Sequence, residues 1–181
     1  MMDEFLAALA PEPFRVFGRE LRPLSFGHVV LLNRLGIDPV TTTEDLFAAV
    51  QICRRSYAEG LAYVRELMTA IGQARLEAEV EQCQNLNVPA AFQAWGDYIQ
   101  ENSKSPTYCQ GDGPKSERGA PMLAQIREVL MNQCNYSPAY VLDAPYGQCL
   151  WDYGCALESS MGWGIVGDRH KELASLLEAR N

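Results

Sequence analysis

Ser25-Phe26-Gly27-His28-Val29-Val30-Leu31-Leu32-Asn33-Arg34-Leu35-Gly36 carries the start, the body and the stop of one helix. Ser25 offers a hydroxyl to the unpaired N–H groups of a first turn. Val29, Leu32 and Leu35 recur at helical spacing, and Gly36 followed by Asp38-Pro39 ends the pattern. The same punctuation returns downstream. Thr41-Thr42-Thr43-Glu44-Asp45 supplies a hydroxyl cap with acids in the first turn, where the helix dipole favours negative charge, and Leu46, Val50 and Cys53 share one face. Ser56 and Glu59 stand at capping-box spacing before Leu61, Val64, Leu67, Met68 and Ile71, with Gly72 as the expected interruption.

Outward from this block the chain stays helical. Leu76, Val80 and Cys83 line a more polar helix that Asn85-Leu86-Asn87-Val88-Pro89 ends, and Phe92, Trp95 and Ile99 mark the next. Leu123, Ile126, Leu130 and Cys134 predict a helix over about 120–134, Ser137-Pro138 caps a short turn, and Asp143-Ala144-Pro145 opens a longer helix. In that helix Tyr146, Cys149, Leu150, Tyr153, Ala156 and Leu157 fall on one arc, with Gly147 and Gly154 flanking Trp151 on the adjoining arc. Leu173, Leu176 and Leu177 predict a last helix over about 168–179, and residues 3–9 a short first one before Pro11 and Pro13. Phe14 to Pro23, broken at Gly18, reads as a hairpin and is the one β element expected. The fold class is therefore mainly α: a bundle-like single helical domain over 1–181 with a short N-terminal β-hairpin. The polar stretch 103–119 divides it into possible lobes 1–102 and 120–181.

Composition narrows the function classes. A 181-residue chain that is 48% hydrophobic and 21% charged has enough apolar surface for one core. A net charge of −8 disfavours sequence-independent binding to nucleic acid, which draws its energy from Lys and Arg against phosphate. Asp3 and Glu4 stand where a secretory signal would be basic, and no run of apolar residues approaches the roughly 20 that span a bilayer. The expectation is a cytoplasmic chain with no membrane span, and six cysteines without a CxxC pair then read as buried free thiols.

No residue pattern announces catalysis. His28 and His170 lie far apart in sequence, and neither joins a nucleophile signature, so each reads as a structural or surface histidine. Cys149 and Cys155, six apart on a helix, point in different directions and cannot share an ion locally. Asp112 between glycines lacks the further acids of a calcium loop. Gly162-Trp163-Gly164-Ile165-Val166-Gly167 matches GxGxxG, but a helical pattern precedes it where the dinucleotide fingerprint needs a strand, so an interhelical turn is the preferred reading. Glu77, Glu79 and Glu81 spread around a solvated helix. No catalytic residue, cofactor or metal is expected. Trp163, set between glycines, is the expected anchor for a protein partner, and Trp151 and Tyr146 complete the expected partner interface.

Two blocks carry a resemblance. The first runs from Phe14 through Arg22-Pro23-Leu24-Ser25-Phe26-Gly27-His28 to Gly36, continuing in Glu44-Asp45-Leu46 and Val50-Gln51-Ile52-Cys53. The second is Tyr136-Ser137-Pro138-Ala139-Tyr140-Val141-Leu142-Asp143-Ala144-Pro145-Tyr146, then Leu150-Trp151-Asp152-Tyr153 and Ala156-Leu157-Glu158. In this order they resemble small tailed-phage and prophage proteins of the tail assembly chaperone type, while residues 73–119 lie outside the likeness. The resemblance implies a non-catalytic viral protein of the host cytoplasm that binds a tape-measure or other tail protein before tube assembly and then leaves. A structural component of the tail or head-tail junction, and a helical enzyme or small-ligand protein, are the alternatives. A deep pocket lined by His28 or by several cysteines would mark the last.

Overall fold

A computed structural model describes residues 13–37, 40–82, 87–109, 120–161 and 164–167, and the expected helices over 3–9 and 168–179 lie outside them. The chain is mainly α, as its sequence pattern predicts. Strands β1 (Arg15–Val16) and β2 (Arg19–Glu20) form an antiparallel hairpin through Phe17 and Gly18, both at positive φ. Eight described helices follow: α1 (Phe26–Leu35), α2 (Thr43–Cys53), α3 (Tyr57–Leu67), α4 (Ala70–Gln82), α5 (Val88–Asn102), α6 (Met122–Asn132), α7 (Pro138–Asp143) and α8 (Tyr146–Met161). The hairpin is not the whole β content. Strand β3 (Tyr108–Cys109) pairs antiparallel with β4 (Gly164–Ile165), so a piece of the expected 103–119 loop is a strand. Short polar stretches hide such pairs, because a two-residue ladder needs no hydrophobic alternation.

Three successive helices begin in the same way. The Ser25 hydroxyl accepts from His28 N–H, Thr42 from Asp45 N–H and Ser56 from Glu59 N–H, and each third residue reaches back to its cap's own N–H. Each cap contributes about 1 kcal/mol. The first is unusual, since the reciprocal acceptor is the Nδ1 of His28, 3.0 Å from Ser25 N, rather than a carboxylate.

Helix α2 is the centre of the first core, with every residue from Leu46 to Cys53 buried. Against it pack Leu31 and Leu32 of α1, Val64 of α3, Trp95 and Tyr98 of α5, and Val16 of the hairpin. A second core joins Ile126, Leu130, Val141, Ala144, Cys149 and Leu150 around Phe26. Helix α1 thus serves both cores, its first residue turned to one and Leu31 and Leu32 to the other. Backbone bonds fasten the joint: Phe26 N–H to Ala144 O at 3.0 Å and Tyr146 N–H to Leu24 O at 2.7 Å, around a bridge between Ser25 and Pro145. The Tyr57 N–H donates to Asp143 Oδ1 at 3.0 Å, tying α3 to α7. Gly27 makes this crossing possible, because a Cβ there would lie 2.5 Å from both Leu142 O and the Tyr57 ring.

The helical stripe expected from Leu61 through Ile71 is interrupted earlier than Gly72. Helix α3 stops at Leu67, Thr69 Oγ1 accepts the N–H of Gly72, and a new direction begins. Gly72 lies inside the corner, where a Cβ would meet Glu66 O at 2.0 Å. Met68 and Ile71, expected on the core face, are consequently exposed.

Candidate functional site

An open apolar concavity lies over the joint between the two cores. It encloses about 610 Å³ between α1, α5 and the start of α8, with Val29, Leu32, Trp95, Ile99, Tyr146 and Leu150 among its walls. Met122, 64% exposed, stands at its rim. Gly96 faces into it from α5, and a Cβ built there meets nothing within 4 Å. The glycine is therefore not demanded by packing, and its missing side chain leaves room. The polar lining comes from Gln100, Ser103 and Ser105, uncharged groups suited to hydrogen bonding at the edge of an apolar surface.

Of the two expected interface residues that are described, Tyr146 lines this groove and Trp151 does not. Tyr146 is half-buried, packs against both cores and lies with its ring 6.3 Å from that of Phe26. Trp151 is 5% exposed, its ring enclosed within the chain rather than offered outward. Gly147 and Gly154 beside it are buried as well. Trp163 lies outside the described residues. Trp95 and Ile99 were legible only as members of a helix face, and Met122 was not singled out. The available signal was Gly96, a helix-interior glycine between two aromatic positions.

His28 is 1% exposed and both ring nitrogens are engaged. Nδ1 accepts from Ser25 N–H, which leaves Nε2 carrying the proton and donating to Arg55 O at 2.8 Å. Burial lowers its pKa; the nearby Arg22 lowers it further, while the bond to Arg55 O and the carboxylate of Asp143 oppose that. The ring stays neutral and holds α1 to the α2–α3 turn. Arg55 extends this polar seam, donating to Gln51 Oε1 at 2.7 Å and lying 4.8 Å over the Tyr63 ring, while Gln51 reaches Glu79. Glu79 also accepts from Arg75 at 3.1 Å, whereas Glu77 and Glu81 are exposed, so the three acids do not converge.

The thiols divide by burial. Cys53 and Cys149 are buried, and burial pushes each up to about 12, far from the thiolate. Cys134 is half-buried and Cys155 exposed, contrary to the expectation of buried thiols throughout. Cys149 and Cys155 do differ in environment, as their spacing predicts. Asp112 lies outside the described residues. Among the described residues no group of three or more His, Cys, Asp or Glu side chains is placed to hold a metal ion.

Of the GxGxxG stretch, Gly164–Ile165 is a short strand, while Gly162, Trp163 and the expected helix over 168–179 lie outside the described residues. That strand follows the end of α8 and pairs with Tyr108–Cys109. Ile165 N–H donates to Glu158 Oε1 and Val166 N–H to Thr107 O, so two amides that a phosphate would need already have acceptors. No described helix is long and apolar enough to cross a membrane. The chain matches no protein-family profile, no curated protein and no solved structure.

Proposed function

We propose that this chain is a non-catalytic polypeptide-binding protein of the tail assembly chaperone type, acting in the cytoplasm of a phage host. In this reading it receives an apolar helical stretch of a tape-measure or other tail protein in the groove between α1, α5 and α8. The groove carries the proposal: it is open, apolar along its walls and uncharged along its edge, as an amphipathic helix requires. Two further facts support it. The two sequence blocks that resemble the chaperones meet at the groove, through Ser25 against Pro145 and Phe26 against Tyr146. The net charge of −8 would keep a complex with an apolar client dispersed.

The test uses Gly96→Leu. The added side chain enters open space and replaces a helix-interior glycine, so it fills the groove while raising helix propensity by up to about 1 kcal/mol. The wild-type chain, co-expressed with a phage tape-measure protein, is expected to hold that protein soluble and co-purify with it. Gly96→Leu is expected to fold and fail to do so. Equal retention by both proteins would remove the groove from the reading, and recovery of the chain at fixed stoichiometry from mature virions would replace a chaperone with a structural component.

A further inference from the structure

Away from the groove, a smaller pocket of about 380 Å³ opens between the end of α6 and the later turns of α8, and two cysteines line it together with Tyr136 and Asp152. Cys134, just past α6, directs its Sγ to the Asp152 carbonyl oxygen at 3.8 Å. In an α-helix the carbonyl of residue i accepts from the N–H of residue i+4, so residue i+3 stands less than one turn further along. The residue three beyond Asp152 is Cys155. Cys134 and Cys155 therefore line the same pocket, with the Cys134 sulfur against the α8 backbone less than one turn before Cys155. Cys155 is exposed and Cys134 half-buried, whereas Cys149 is sealed in the second core.

We propose that Cys134 and Cys155 form a redox-active dithiol that closes to an intramolecular disulfide on reaction with a low-molecular-weight disulfide. The Cys155 thiolate attacks one sulfur of the small disulfide, forming a mixed disulfide and releasing one small thiol. The Cys134 thiolate then attacks the Cys155 sulfur, forming the protein S–S bond and releasing the second small thiol. Two protein thiols are oxidised, one small disulfide is reduced, and the two protein protons leave on the small thiols. The step is restrained at neutral pH: burial and then the Asp152 carboxylate raise both thiols, with Cys155 adding to the effect on Cys134 and Glu158 to that on Cys155. The pair is built to respond to oxidising conditions rather than to turn over.

The full chain is incubated in glutathione buffers of graded potential, its free thiols are trapped by alkylation, and the intact protein and its peptides are weighed. The expected product is a chain lighter by two hydrogens with Cys134 joined to Cys155. Cys134→Ser, checked for helicity by circular dichroism, is expected to accumulate glutathione on Cys155 instead. Asp152→Asn, which removes the negative charge beside both thiols and leaves them in place, is expected to close several-fold faster at neutral pH. Wild-type protein that stops at the mixed disulfide on Cys155, or a disulfide that maps to a different pair of cysteines, overturns the proposal.

Discussion

His28→Ala removes a ring that the fold uses at both nitrogens. Ser25 N–H loses its acceptor inside a site that is 3% exposed, Arg55 O loses its donor, and a ring-sized cavity opens between α1 and the α2–α3 turn. One buried unsatisfied donor, one lost hydrogen bond and the cavity together give about 3–5 kcal/mol of destabilisation at pH 7.5. That is a large part of the roughly 5–15 kcal/mol that holds a domain folded. His28→Gln separates the contributions. Glutamine at the third helical position can still accept from Ser25 N–H, as in an ordinary capping box, but its flexible stem neither fills the space of the ring nor fixes a donor on Arg55 O. A loss of about 1–3 kcal/mol is expected, smaller than that of the alanine variant.

The pH dependence supplies the sharper measurement. The folded His28 has a pKa below the ordinary value of 6.5, with burial the main cause. Below pH 6.5 the unfolded chain therefore takes up a proton that the folded chain refuses. Stability from this residue is complete above the unfolded pKa and is lost as pH falls towards the folded one. The limiting slope for one proton is about 1.4 kcal/mol per pH unit. Urea unfolding of wild type and His28→Gln between pH 7.5 and 5 should give stability curves that converge as pH falls, the wild type dropping and the variant changing less. Subtracting the two curves cancels His170 and the carboxylates. Parallel curves would refute both the burial and the neutral tautomer assigned to this ring.

Gly27→Ala places a methyl 2.5 Å from Leu142 O and the Tyr57 ring, and thermal melts should show about 1–3 kcal/mol of destabilisation, since backbone on one side cannot give way. Asn102→Leu leaves Leu24 N–H without the Oδ1 acceptor now at 2.9 Å and Tyr98 O without its Nδ2 donor. Denaturant titration should show a loss of about 2–3 kcal/mol despite the apolar gain. Ile71→Lys, at a residue 81% exposed, should change stability by less than about 0.5 kcal/mol in the same titration, whereas a core position would show several times that.

What could be read from the sequence was what is encoded locally. Ser25, Thr42 and Ser56 caps, the Gly36 stop and the Ser137-Pro138 start all depend on residues within one turn of each other, and the structure has each of them. The face of α2 was legible in Leu46, Val50 and Cys53, but its complete burial was not, because burial on every side depends on what surrounds the helix. The stripe from Leu61 to Ile71 misled for a related reason. Periodicity continues smoothly through Met68 and Ile71, and only the contact of Gly72 with Glu66 O, a three-dimensional fact, shows that the chain has turned. Trp151 was expected in a partner interface, but its indole is enclosed within this chain, a burial set by the surrounding helices.

The groove was hidden for a deeper reason, which also bears on its use. Its walls come from α1, α5 and α8, so no single helix displays it, and it exists because α1 turns Phe26 into one core and Leu31 and Leu32 into the other. Two cores sharing one helix leave a seam where their apolar surfaces approach without merging. Tyr146 lies at that seam, against both cores, and Leu24 O and Ala144 O fix the backbones on either side. A helix bound there would touch both cores at once and add apolar area to each. Under the proposed function, any change that slackens the Ser25–Pro145 joint, Gly27→Ala above all, should therefore weaken client capture at temperatures where the individual helices remain formed.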